Sequence, residues 1–332
     1  MSSALLEIQD LTVSFQTLQG VRRAVEQVSL YIEEGETLGL VGESGCGKSV
    51  TALSVLGLVD RSTGLIESGR ILFKGKNLLD LNTEALRRLR GNAISMVFQE
   101  PMTSLNPVLP VGRQIAEPLM THQGLSKIEA YASAMTWLER VKIPMAGKRM
   151  QEYPHQLSGG MRQRVMIAMA MVCSPSLLMA DEPTTALDVS TQAQILHLIE
   201  KLKADLKMSV LFITHDLGIV AQTAKRVVVM YAGQVVEVAL VTDIFDRPAH
   251  PYTRGLLRSI PRMQPSTDVP KKRLQEIKGT LPSLDTIIPG CRFADRCPDV
   301  FEPCRQKKPE LSPVQAGQQA RCWLYADGSG KP

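Results

Sequence analysis

Apolar and polar positions alternate with a period of two through LLEIQDLTVSF, residues 5–15, and again through AVEQVSLYI, residues 24–32. That period puts successive side chains on opposite faces of a strand, so the N-terminal part is expected to form antiparallel strands. A glycine-rich turn follows, and then a helix is expected through TALSVLGLV. From Val111 to Leu157 the apolar residues recur at helical spacing, interrupted by Pro118, Pro144 and Pro154, which predicts a helical insertion over about residues 100–160. Beyond Met161 helix and strand alternate, in RQRVMIAMAMV, LLMAD, QAQILHLIEKLKADL, SVLFIT and RVVVMY. Strands alternating with helices of that length form a parallel sheet covered on both faces. The fold class is therefore α/β, with a parallel core sheet, an N-terminal antiparallel β subdomain and a helical insertion subdomain.

After about Arg247 the pattern changes. Proline becomes frequent, charges cluster in PKKRLQEIK, and four of the six cysteines fall between 291 and 322. Residues 248–332 are read as a small C-terminal extension to a main domain of residues 1–247, which agrees with a chain of 332 residues, longer than one usual domain. With 44% hydrophobic and 21% charged residues the chain can bury a sizeable core. A net charge of +5 is too weak to argue for nucleic acid, though it suits work near an anionic membrane face. No stretch has the roughly 18 uninterrupted apolar residues of a membrane span. Val165 to Ala180, the nearest candidate, is broken by Ser174, Pro175 and Ser176. The start MSSALLEIQDLTVSF lacks the order of a signal peptide, so the chain is expected in the cytoplasm with its cysteines reduced or bound to metal.

Three segments carry chemistry. Gly42-Glu43-Ser44-Gly45-Cys46-Gly47-Lys48-Ser49 fits G-x-x-x-x-G-K-[ST] directly after the apolar strand ETLGLV, and Val50 continues into the helix. Its glycines let backbone N–H groups turn around phosphate oxygens at the positive end of a helix. Lys48 offers a mobile cation and Ser49 a hydroxyl for magnesium. A chance glycine turn would lack the strand before and the helix after. LLMADEP ends an apolar strand on Asp181, placed to hold a magnesium shell, and Glu182, available as a general base, although acidic pairs at strand ends are often solvated turns. Together these make a nucleoside triphosphatase of unspecified kind. Leu157-Ser158-Gly159-Gly160-Met161 opens an apolar helix with further N–H donors for an anion. Alone it would be an ordinary helix cap. As a second phosphate-reading element it points to two chains, each reading the other's nucleotide.

With these motifs in this order, residues 5 to about 245 resemble the ABC family of P-loop ATPases. GESGCGKS resembles the phosphate loop, Gln99 in MVFQEP the glutamine that touches magnesium or the attacking water, LSGGM the signature, and LLMADE the magnesium and base strand. TALD, ending at Asp188, resembles the dimer-contact loop, His215 in FITHD the switch histidine, and Phe15 the aromatic residue against adenine. The resemblance implies ATP and Mg2+ as ligands, magnesium held through Ser49, Gln99 and Asp181, and catalysis by Glu182, His215 and Gln99. Met161 stands where many relatives have glutamine.

IFDRPAHPYTRGLLRSIP, residues 244–261, reads as a turn leading into a short amphipathic helix, and it resembles the segment that marks the oligopeptide, dipeptide and nickel importers of that family. The resemblance implies a paralogous second ATPase subunit, two transmembrane permeases, an external substrate-binding protein, no nucleic acid, and a peripheral place on the cytoplasmic face of a bacterial inner membrane. Nickel or glutathione import, or a soluble non-transport ATPase, are the alternatives. Cys291, Cys297, Cys304 and Cys322 lack the paired C-x-x-C of common zinc sites, and their spacing leaves open four independent thiols, zinc or an iron–sulfur cluster. The resemblance implies a [4Fe–4S] cluster, with Zn2+ second.

Overall fold

The computed structural model describes residues 4–185, 187–260 and 276–326. Most of the charge cluster PKKRLQEIK and Ala186 of TALD lie outside the described residues. The chain divides into two compact units interleaved in sequence. The first draws mainly on Ile32–Thr37 and Phe73–Ile213, the second on Glu7–Tyr31, Leu38–Leu72 and the described residues from Thr214 onward.

In the first unit, strands Ile94–Val97, Leu177–Asp181 and Ser209–Thr214 run parallel, with Ile94 opposite Leu177 and Asp181 opposite Ile213. Every residue of Leu177–Asp181 and Ser209–Thr214 is buried. Such continuous apolar strands belong to a sheet covered on both faces. Helix Gly159–Met171 precedes the second strand and helix Val189–Leu206 follows it. The helical insertion comprises Val111–Gln123, Lys127–Arg140 and the short Ala146–Arg149. Lys127–Arg140 starts at a capping box, with Ser126 and Glu129 each satisfying the other's backbone N–H.

In the second unit, strands Leu6–Thr17 and Gly20–Ile32 are neighbours, and Gly64–Phe73 lies on the other side of the first. Only two residues, Leu18 and Gln19, join the first pair. A connection that short forces an antiparallel hairpin. Strand Thr37–Val41 runs parallel to Arg226–Tyr231, which pairs antiparallel with Gln234–Leu240. The C-terminal residues add to this edge. Gln318–Ala320 pairs with Gln234–Leu240, setting Ala320 opposite Glu237, and Ser312–Gln315 pairs with Gln318–Ala320.

The core of this unit joins strand, helix and C-terminal segment through three rings. Tyr231 lies 4.7 Å from Tyr252 and 5.1 Å from Phe293 between centroids, and Tyr252 lies 5.4 Å from Phe293. Each aromatic pair contributes about 0.5–1.5 kcal/mol beyond its burial. Tyr252 comes from helix Pro251–Ser259, which His250 caps by accepting the Tyr252 N–H on Nδ1 at 3.1 Å. Beneath that cap Glu237 is fully buried and satisfied, accepting from the Ala249 and His250 N–H groups and from Gln318 Nε2. A buried carboxylate left without such donors would be strongly destabilising.

Candidate functional site

The second unit holds the phosphate loop. Strand Thr37–Val41 is wholly buried and delivers the chain to Gly42, and helix Lys48–Val55 leaves from Gly47. Only glycine fits at both ends. Gly42 and Gly47 have φ of 157° and 103°, and a Cβ on Gly42 would sit 2.2 Å from the Met230 carbonyl oxygen. Ser44 and Gly45 at the loop's crown are exposed, whereas Cys46 and Lys48 are buried and Ser49 half-buried. Burial pushes the Cys46 thiol up, with Lys48 opposing, so it stays a protonated filler. Lys48 Nζ donates to the carbonyls of Gly42 at 2.8 Å and Glu43 at 3.0 Å, which folds the side chain over the loop. Those bonds hold an otherwise unpaired buried cation.

Phe15 is half-buried in strand Leu6–Thr17, and His215 is exposed just beyond strand Ser209–Thr214. Both residues belong to the same unit as the loop. The ring of Phe15 packs so closely that a Cβ on Gly64 would lie 2.8 Å from it. Near the end of that strand Thr17 Oγ1 donates to Asp285 at 3.0 Å, and Arg22 pairs with the same carboxylate at 3.5 Å.

Residues of the C-terminal extension also reach the loop, and periodicity and motif spacing missed them. Tyr252 Oη accepts the Glu43 N–H at 2.9 Å, and the Arg296 fork meets both Glu43 carboxylate oxygens at 2.8 and 3.0 Å. The HPY triplet was the one sequence signal that could have marked Tyr252. For Arg296 there was none.

The first unit holds the acidic pair and the signature. Asp181 ends its strand buried, and Glu182 follows at φ 45°, a left-handed conformation costly for a non-glycine residue. The turn is held because the Glu182 N–H donates to the Ile213 carbonyl at 2.9 Å. The Glu182 carboxylate accepts from Gln99 Nε2 at 3.1 Å and from Thr185 Oγ1 at 2.9 Å. Two residues 83 positions apart, singled out separately in the sequence, thus meet directly.

Ser158 and Asp188 are both helix caps. Ser158 Oγ accepts the Met161 N–H at 3.4 Å, and Asp188 accepts from Thr191 N–H at 2.9 Å and Thr191 Oγ1 at 2.7 Å. The Thr191 hydroxyl, with its N–H, draws the Asp188 carboxyl below its ordinary range. Leu157 is buried and anchors the signature, leaving Ser158 exposed and Gly159, Gly160 and Met161 half-exposed. A Cβ on Gly160 would come within 2.9 Å of Thr191 Cγ2, so the starts of the two helices lie together.

The four C-terminal cysteines converge. Cys291, Cys304 and Cys322 lie within electrostatic reach of one another, Cys297 reaches Cys291 and Cys322, and the Cys291 N–H donates to the Cys304 carbonyl at 2.8 Å. Burial pushes the Cys297 thiol up to about 12 and that of Cys322 to about 11. Yet among the described residues no three cysteine, histidine or acidic groups come close enough to hold a metal ion. The gathering of the four thiols, with no metal-holding group among the described residues, is what the structure gives toward the iron–sulfur and zinc expectations. Magnesium is different in kind. Ser49, Gln99 and Asp181 are hard oxygen donors of the sort that cation takes, so the donor set fits it.

Comparison with known proteins agrees with this geometry. The family model described as ABC transporter matches residues 25–185, and that for the C-terminal region of oligopeptide/dipeptide transporters matches residues 236–304. A probable peptide ABC transporter ATP-binding protein of Sinorhizobium fredii is 53% identical over 96% of this chain and 94% of its own length. The oligopeptide transport ATP-binding protein AppD of Bacillus subtilis is 50% identical over 98% of both chains, and the dipeptide transport ATP-binding protein DppD of the same organism is 49% identical over 96% of this chain and 94% of its own. Among solved structures, a dimeric ATP-binding cassette in a post-hydrolysis state with ADP and Pi superposes with a TM-score of 0.64 at 27% identity, covering 71% of this chain and 98% of that one. No helix among the described residues is long and apolar enough to cross a membrane.

Proposed function

The chain belongs to the ABC transporter family, where it is the ATP-hydrolysing subunit of a peptide importer, and from that premise we propose how its residues share the work. Lys48 and the backbone N–H groups from Gly42 to Val50 bind the nucleotide phosphates, with Phe15 against the base. Ser49, Gln99 and Asp181 would hold magnesium, which would supply positive charge to the nucleotide phosphates. Glu182 takes the proton of the attacking water and His215 donates to the γ-phosphate. The observation that carries this reading is the Glu182 carboxylate held between Gln99 and Thr185, because a general base must be fixed within hydrogen-bond reach of its proton. The protein otherwise contributes position and electrostatics, as phosphoryl transfer requires.

Leu157 to Met161 read the ATP of a partner, and Asp188 lies at the contact between the two. With one phosphate loop and one signature in the chain, a complete site needs a second subunit, for which a paralogous ATPase is the proposed partner. Two permeases, an external binding protein and the cytoplasmic face of a bacterial inner membrane complete the proposed setting, with no role for nucleic acid. Residues 1–247 are proposed as the ATPase domain and 248–332 as the extension. The [4Fe–4S] reading of Cys291, Cys297, Cys304 and Cys322 is supported by their convergence and the family resemblance.

Reconstitution with the permeases and binding protein tests the function. ATP-dependent accumulation of a labelled di- or oligopeptide in vesicles is expected, and ATP turnover without peptide uptake would count against it.

A further inference from the structure

Glu43 is the only acidic residue of the phosphate loop Gly42 to Ser49. A nucleotide triphosphate is an anion, and a bare carboxylate on the loop that cradles it would repel it. Arg296, 253 positions away, answers that charge. Its side chain is 8% exposed and all five N–H donors have acceptors. Nη1 donates to Glu43 Oε2 at 2.8 Å and to Tyr231 Oη at 3.3 Å, Nη2 to Glu43 Oε1 at 3.0 Å and to the Ile277 carbonyl at 3.4 Å, and Nε to the Lys278 carbonyl at 3.0 Å. The guanidinium is thus fixed by the extension itself and presents a bidentate fork to the loop, the geometry that binds carboxylate most strongly. Tyr252 fixes the same residue from its backbone, by accepting the Glu43 N–H at 2.9 Å.

We propose that Arg296 is a positioning residue for nucleotide binding, acting through Glu43: it pins and neutralises the loop's one carboxylate, so that the C-terminal extension sets the affinity of the ATP site. This rests on the ATP-binding reading of the loop, and the experiment separates the two.

ATP dissociation constants are measured on the full chain at low salt for wild type and for Arg296→Gln, Arg296→Lys, Glu43→Gln and the double variant Arg296→Gln/Glu43→Gln. Arg296→Gln leaves a lone carboxylate and is expected to weaken ATP binding about tenfold, the scale of a lost hydrogen bond to a charged group. The loss should shrink at high salt, where the repulsion is screened. Arg296→Lys keeps the charge and recovers most of the affinity. Adding Glu43→Gln to Arg296→Gln removes the repelling charge and restores binding, an outcome that mere disruption of packing would not give. Wild-type affinity in Arg296→Gln, or a double variant no better than the single one, overturns the proposal. Should Arg296→Gln not fold, Glu43→Gln alone decides: it leaves an uncompensated cation beside the loop, so binding should tighten, and unchanged or weaker binding overturns the assignment. Lys48→Ala is the control for the underlying reading. If wild type does not bind ATP, or binds it no better than Lys48→Ala, the ATP site itself is misassigned whatever Arg296 does.

Discussion

The side-chain amide of Gln99 donates to the carboxylate of Glu182 at 3.1 Å, joining the end of one buried strand to the turn after its neighbour. Strands Ile94–Val97 and Leu177–Asp181 are paired in parallel, so both residues emerge at the same end of the sheet. The bond holds the proposed base in one orientation before any nucleotide arrives.

Glu182→Gln should retain ATP binding and lose turnover. The amide cannot take a proton, and general-base loss costs about 10² to 10⁴-fold. Phosphate release by the assembled transporter, set beside nucleotide binding by the same preparation, checks this. Near-normal hydrolysis would rule Glu182 out as the base.

Gln99→Ala and Thr185→Val each remove one hydrogen-bond donor to the Glu182 carboxylate. Each should lower kcat by about tenfold, since each donor is worth about 1.5 kcal/mol to a charged acceptor. Because both act on one group, the double variant should fall short of the product of the single effects. Fully multiplicative losses would mean that the two residues work independently.

His250 predicts a specific acid sensitivity. Burial, with Arg254 and Arg321 nearby, holds its imidazole down to about 3 against an ordinary 6.5. Nδ1 accepts the Tyr252 N–H, and the main-chain N–H of His250 donates to Glu237. The folded chain therefore keeps His250 neutral while the unfolded chain protonates it below about 6.5. Stability is complete above that pH and falls as pH drops toward about 3, by at most about 1.4 kcal/mol per unit from this group. His250→Asn keeps a capping acceptor without the titration. Its melting temperature should decline less than that of wild type between about pH 7 and about pH 5. Parallel declines would show that other groups govern the acid lability.

The four thiols give a test with a direct readout. On the iron–sulfur reading, anaerobically purified protein absorbs broadly at about 400 nm and carries iron with acid-labile sulfide. Stoichiometric zinc would replace that reading, and metal-free protein with four titratable thiols would leave the cysteines as packing.

Much of this protein was legible in one dimension, for a physical reason. The phosphate loop, the signature and the acidic strand end are contiguous, because binding a phosphate takes successive backbone N–H groups and the start of one helix. Strand and helix periods likewise act over neighbouring residues: SVLFIT is the strand Ser209–Thr214, RVVVMY is Arg226–Tyr231, and the helix drawn over QAQILHLIEKLKADL begins three residues earlier, behind the Asp188 cap. What the tertiary structure alone decided are meetings across the chain. The fork of Arg296 on Glu43, the Tyr252 hydroxyl on the loop N–H, the Gln318 amide on buried Glu237 and the convergence of Cys291 with Cys322 depend on strand order and on which faces pack together. No local spacing encodes such contacts. They form because a buried charge or N–H must find a partner, and only the folded chain determines which residue is within reach.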